Sequence, residues 1–129
     1  MLNKVTLIGW AATSPKYIPS DTPTRSSCRF RLKTNKMFTS GNGQEKEYTT
    51  YHNIVIWGFN AKTASDLIKF DDLVFIEGHI DTKSYEDDDG VEKYMTNIQT
   101  REFRLLATSD EKERYSTLYN SDKKNDLPF

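Results

Sequence analysis

The chain has 129 residues and a mass of 15.0 kDa, which suits one domain and a tail, and its single cysteine, Cys28, rules out an internal disulfide. With only two histidines, His52 and His79, it cannot assemble the usual four-ligand zinc site, so no metal or other cofactor is expected. The formal net charge of −1 argues against a uniformly basic duplex binder, yet Arg25, Arg29, Arg31, Lys33 and Lys36 fall within twelve residues that contain no acid.

In chain order, residues 2–9 read as a first strand, an apolar run too short for a signal peptide. No later stretch approaches the roughly 20 apolar residues of a membrane span, so a soluble, cytoplasmic protein is expected. Residues 27–34 give a second strand, and 40–47 a polar, glycine-bearing connection expected to be a mobile hairpin rather than a tight turn. A third strand follows at 51–58. Residues 60–70 read as a short amphipathic helix capped by Asn60, with Ala61, Ala64, Leu67 and Ile68 on its apolar face. Strands at 73–80 and 93–100 flank a second hairpin at 86–92, where Glu86, Asp87, Asp88 and Asp89 are packed together. From Thr108 the hydrophobics thin out, and 108–124 reads as a disordered tail before the final Asn-Asp-Leu-Pro-Phe. Five strands with a helix between the third and fourth give an all-β fold, the five-stranded Greek-key barrel of the OB-fold, over residues 1–107, with a flexible segment at 108–129.

The alternation of a strand sends Cys28, Phe30 and Leu32 to one face and Arg29, Arg31 and Lys33 to the other. Three cations alone would read as a solvated face. The third strand, however, sets Tyr51, Asn53, Val55 and Trp57 on a shared face. Aromatic rings beside a cationic stripe suit sequence-independent binding of a single strand, because any base offers a π-face while arginine and lysine track phosphates. Periodicity alone leaves Tyr51 and Trp57 equally readable as barrel core, and the same holds for Trp10, Phe38, Tyr85 and Tyr94.

Met1 to Gly9 resembles the opening strand of bacterial single-stranded-DNA-binding proteins. Thr50 to Gly58 resembles their "T-E-W-H-x-V-x-F-G" strand, and Leu73 to Gly78 their "V-Y-I-E-G" strand. Asp89-Gly90 and Tyr94-Met95-Thr96 extend the likeness to about residue 105, and Asp126-Leu127-Pro128-Phe129 resembles the acidic tip of that family. The resemblance implies a non-enzymatic protein that binds and protects single-stranded DNA during replication, recombination and repair. It places stacking aromatics at Tyr51, Trp57 and Tyr85, with a fourth position at Met37 or, by a one-residue slip, Phe38, which is preferred for its ring. Arg29, Arg31, Lys33, Lys62 and Lys83 are expected to meet phosphates. His52 matches a residue of a subunit interface, a homotetramer is expected, and Asp126, Leu127, Pro128 and Phe129 are expected to dock replication and repair proteins. Departures at Trp10 to Pro15 and the short linker suggest a phage, plasmid or mobile-element version.

No nucleophile elbow, phosphate-binding loop, metal-ligand spacing or Cys/His pair is present, and the run from Glu86 to Asp89 lacks calcium-loop spacing. Catalysis is therefore not expected. Two other readings share these features: a primosome-type OB module, which would lack the Asp-Leu-Pro-Phe end, and a protein-interaction adaptor with no DNA role.

Overall fold

The computed structural model describes residues 1–111, so the expectations placed on 112–129, including the tip at Asp126 to Phe129, lie outside it. Strands β1 (Val5–Ala11), β2 (Lys16–Ile18), β3 (Ser27–Thr39), β4 (Glu45–Trp57), β5 (Leu73–Glu86) and β6 (Glu92–Ala107) form one sheet, and helix α1 (Phe59–Leu67) joins β4 to β5. The strand order is β1-β5-β6-β4-β3-β2, and a further β1–β3 pairing, Trp10 with Lys33 and Ala11 with Leu32, closes it into a five-strand barrel. All pairings are antiparallel except β4 with β6. This is the all-β OB-fold that the sequence order implies.

Alternation builds the interior. Cys28, Phe30 and Leu32 of β3, Ile54 and Ile56 of β4, Val74 and Ile76 of β5 and Ile98 of β6 are all buried in one cluster. Each fully buried aliphatic side chain stabilises the barrel by roughly 1.5 to 3 kcal/mol. The Ala61 and Ala64 face of α1, with Ile68 just beyond it, packs into the same cluster. The helix departs from the expected one in three ways. It starts at Phe59 and ends at Leu67, and Leu67 is exposed rather than part of the apolar face. Its cap is Gly58 at φ 78° rather than Asn60, because the chain must turn sharply out of β4 through backbone that a side chain rarely adopts.

Strand length is the larger correction. The apolar pattern marks the barrel portions of β3, β4 and β5 but stops at residue 100 on β6, missing the stretch to Ala107 that pairs with Leu73 to Glu77; beyond the barrel, β3 pairs continuously with β4 from Ser27↔Trp57 to Thr39↔Glu45, and β5 with β6 out to Glu86↔Glu92. Two hairpin arms therefore project past the barrel. Polar residues sustain them because the ladder is made of backbone bonds and both faces meet solvent. The 40–47 connection is accordingly a tight turn, closed by Ser40 N–H to Gln44 O at 2.8 Å and Gly43 N–H to Ser40 O at 3.0 Å. At Gly78 the β5–β6 register shifts, and a Cβ there would collide with the Gln99 carbonyl, so the barrel bends through a residue that has none.

The three-residue β2 was not legible, since Lys16, Tyr17 and Ile18 are too few to show a period. The tail expectation also changes at its start. Residues 109–111 are helical, and Thr108 and Glu111 exchange the reciprocal bonds of a capping box, the Thr108 N–H to Glu111 Oε2 at 3.0 Å and the Glu111 N–H to Thr108 Oγ1 at 3.4 Å. Asp72 ties this turn to the barrel by accepting the Ser109 N–H at 2.9 Å.

Candidate nucleic-acid interface

The β3–β4 register places Arg29 opposite Val55, Arg31 opposite Asn53 and Lys33 opposite Tyr51, all on the outer face of the barrel. Aromatic neighbours lie diagonally: the Arg29 guanidinium carbon is 5.6 Å from the centre of the Trp57 ring, and that of Arg31 is 5.3 Å from the Tyr51 ring. Trp57 is 41% exposed and Tyr51 52%, which decides between the two readings of these rings in favour of the surface. Among the described residues, Arg29, Arg31 and Lys33 form no ion pair with a carboxylate. Stacking on a ring holds a guanidinium in place while leaving its in-plane N–H donors for an anion.

Register also enlarges the face beyond the residues that sequence alone singled out. Lys16 of β2 pairs with Arg29, and the half-buried Trp10 pairs with Lys33. Lys16 was not singled out, because it lies on a strand without a pattern, and Trp10 stood open between core and surface, because its place depends on the β1–β3 closure. In the other direction β6 brings Gln99 beside Val55, and β5 brings His79, Asp81, Lys83 and Tyr85 into line. Trp57 Nε1–H donates to Gln99 Oε1 at 2.6 Å, and Gln99 Nε2–H donates to Asp81 Oδ2 at 3.3 Å. An open groove of about 690 Å³ lies between Trp57 and the β5–β6 side chains, including Asp81, Lys83 and Gln99.

The remaining expected residues divide. Tyr85 is 45% exposed on this same face, farther along the arm. Phe38, 43% exposed, takes the opposite pleat of the β3–β4 arm, with Lys36, Lys46 and Tyr48, while Met37 lies on the cationic pleat. Lys83 lies 3.8 Å from Asp81. Lys62 stands on α1, not on the four-strand face, with its ammonium 3.2 Å from Asp66 and 5.3 Å from the Tyr17 ring centre. His52, half-buried, pairs with Leu32 across the ladder and shares a 2.9 Å hydrogen bond with Thr34 Oγ1; burial pushes its imidazole pKa down.

The acidic run organises its own hairpin. Asp87 accepts the N–H groups of Val91 at 2.9 Å and Asp89 at 3.0 Å, and these bonds, with Lys93 3.2 Å away, hold its carboxyl below the usual range. Among the described residues no group of three or more His, Cys, Asp or Glu is placed to hold a metal, and no helix is long and apolar enough to cross a membrane.

Barrel and face together define an OB-fold binding protein, with arginines lying over aromatic rings on its outer sheet. Residues 2–106 match the model of the Single-strand binding protein family, and the chain belongs to that family. It is similar to a single-stranded DNA-binding protein of Neisseria meningitidis, 33% identical over 85% of this chain, and spans 63% of that relative's length. It is 31% identical to single-stranded DNA-binding protein 1 of Streptococcus pyogenes over the whole of both chains. Among solved structures, a deletion mutant of the Thermus aquaticus single-stranded DNA binding protein matches with a TM-score of 0.70 at 28% identity, covering 81% of this chain and 50% of that one. The Plasmodium falciparum SSB complex with ssDNA matches in fold with a TM-score of 0.72 at 23% identity, covering 83% of this chain and 95% of that one. The family is one of binding proteins, not enzymes, in keeping with the expectation of no catalysis.

Proposed function

We propose that the protein binds and protects single-stranded DNA, without a sequence requirement, across the outer faces of β3, β4, β6 and β5. The observation that carries this reading is the pair of arginines, Arg29 and Arg31, lying over the exposed rings of Trp57 and Tyr51 with no carboxylate partner among the described residues. Bases stack on Trp57, Tyr51 and Tyr85, each worth about 1 to 3 kcal/mol, while Arg29, Arg31 and Lys33 neutralise phosphates. Phe38 serves a strand that turns around the edge of the β3–β4 arm. Lys62 and Lys83, engaged by Asp66 and Asp81, contribute less than the sequence suggested.

Residues 1–107 form the binding domain and 108–129 a tail whose tip, Asp126, Leu127, Pro128 and Phe129, recruits proteins of replication, recombination and repair. Phe129 offers an apolar anchor three residues after the Asp126 carboxylate, and Pro128 limits the entropy lost on docking. Removing the last four residues should leave oligonucleotide affinity nearly unchanged and weaken capture of such partners.

Self-association into a homotetramer is part of the proposal. Among the described residues, 5–9 of β1 pair with β5 and with no other strand, which leaves their other backbone edge open there, and Ile8 is exposed beside it. Light scattering that returns a 15.0 kDa monomer at micromolar concentration would refute the assembly.

Titration with oligo(dT), read by the fluorescence of Trp10 and Trp57, tests the central reading. Quenching that saturates, with an affinity falling as salt rises, is the expected result; unchanged emission and no mobility shift would reject it.

A further inference from the structure

The cationic stripe and the aromatic rings account for backbone and stacking contacts, and neither distinguishes one base from another. The groove beside Trp57 has a different chemistry. Its wall is a short chain of oriented polar groups, in which the Trp57 indole N–H holds Gln99 Oε1 and the Gln99 amide N–H holds Asp81 Oδ2. Lys83 approaches that same Oδ2 at 3.8 Å. Asp81 Oδ1 has no hydrogen-bond or ion-pair partner among the described residues, and the side chain is 34% exposed. Gln99 therefore does two things at once: it fixes the edge of the ring on which a base would stack, and it fixes the carboxylate at the rim of that base.

A carboxylate is a poor companion for a phosphate. It is a good acceptor for an exocyclic amino group. The Arg101 guanidinium, which also lines the groove, is already bound to Glu77. The groove thus presents an acceptor beside a stacking surface, and at about 690 Å³ it has room for a base. Cytosine and thymine have nearly the same shape, yet where cytosine carries an amino donor thymine carries a carbonyl oxygen. The first completes a charge-assisted hydrogen bond to a carboxylate; the second sets two acceptors against each other.

Resting on the single-strand reading above, we infer that the Trp57–Gln99–Asp81 groove is a nucleobase subsite that favours a base with an exocyclic amino group, cytosine in particular, over thymine. It biases where the protein sits on a strand without demanding a sequence. Lys83 shares the rim, but its ammonium stands 3.8 Å from Oδ2 and leaves Oδ1 to a base, while Gln99 holds the carboxylate in place.

The test compares affinities for oligo(dC) and oligo(dT) of equal length, for the full chain and for Asp81→Asn, in mildly alkaline buffer that keeps cytosine unprotonated. The strands' own stacking cancels when the dC:dT affinity ratio of the variant is divided by that of the parent. Because the Asp81 rim is partly solvated, the bond is worth no more than an ordinary net hydrogen bond, which predicts a fall in that ratio of about 3-fold to 10-fold, together with an unchanged or higher affinity for oligo(dT), since an acid leaves the binding face. Asp81→Ala should lower the ratio likewise, with no amide present to replace the carboxylate. A ratio that is the same in parent and both variants, or that rises, while oligo(dT) still binds, overturns the subsite and leaves the general strand-binding reading standing. Failure of the parent to bind either oligonucleotide would instead overturn that reading, and the subsite with it.

Discussion

On β3 the outward cations Arg29 and Arg31 lie over aromatic rings and Lys33 has no acidic partner among the described residues, whereas on β5 Lys83 faces Asp81 and on β6 Arg101 is bound to Glu77. Both halves belong to one continuous outer face with the same pleat. They differ in what each positive charge already touches. A cation without a carboxylate releases condensed counterions when a phosphate arrives, while a paired one must first give up its acid, and that exchange returns less free energy. Residue type alone would rank Arg31, Lys62 and Lys83 together, and the pairing separates them.

Trp57→Ala would break the β3–β4 half most severely. Oligonucleotide binding should weaken by roughly 1 to 3 kcal/mol with little dependence on base composition, because a stacking plane is lost and the Arg29 guanidinium loses its rest. Thermal unfolding should shift little, since the ring is 41% exposed; a protein that no longer folds would return Trp57 to the core.

Comparing Arg31→Gln with Lys83→Gln sharpens the contrast. The slope of log K against log salt should shrink in magnitude by about 0.7 for Arg31→Gln and by visibly less for Lys83→Gln. Equal losses would mean that the Asp81 pairing has no electrostatic consequence in solution.

His52 extends the comparison from charge to protonation. Its folded-state pKa lies below the ordinary 6.5, through burial, so the folded protein binds fewer protons there than the unfolded chain. Its contribution to stability is therefore fully present above 6.5 and is lost as pH falls from there through the lowered folded value. Melting temperatures of the parent and of His52→Gln should run parallel above that pH and converge below it, the difference between the two curves cancelling the other titrating groups. A constant gap down to acid pH would contradict the burial argument.

Lys62→Ala carries the smallest expected effect. With its ammonium between Asp66 of α1 and the Tyr17 ring of β2, its removal should leave both the salt slope and the oligonucleotide affinity within error of the parent. A drop as large as that of Arg31→Gln would place the strand path across the helix.

The parts of this site legible in the sequence are those governed by a two-residue period. Arg29, Arg31 and Lys33 against Phe30 and Leu32, and Tyr51 and Trp57 against Ile54 and Ile56, could be sorted before any coordinates, because pleating makes alternation a local rule. The extent of the arms was not legible. Beyond Thr34 and Ile80 both faces are solvated, and no apolar alternation marks a ladder that backbone bonds sustain. The Asn60 cap failed for a related reason: a good capping side chain stood two residues past the point where the barrel forces a left-handed turn, and Gly58 met that need.

By itself the sequence determined the fold class, from the succession of strands and helix along the chain, and the sidedness of β3 and β4, from alternation within single segments. Only the tertiary structure decided which of the positive charges are already paired, that Lys16 and Trp10 border the stripe, and that Gln99 bridges Trp57 to Asp81. Those relations join residues up to 42 positions apart through strand register and barrel closure, and no local period encodes them. A one-residue change of register would turn Gln99 to the other side of the sheet and dissolve the groove, with every residue of the composition unchanged.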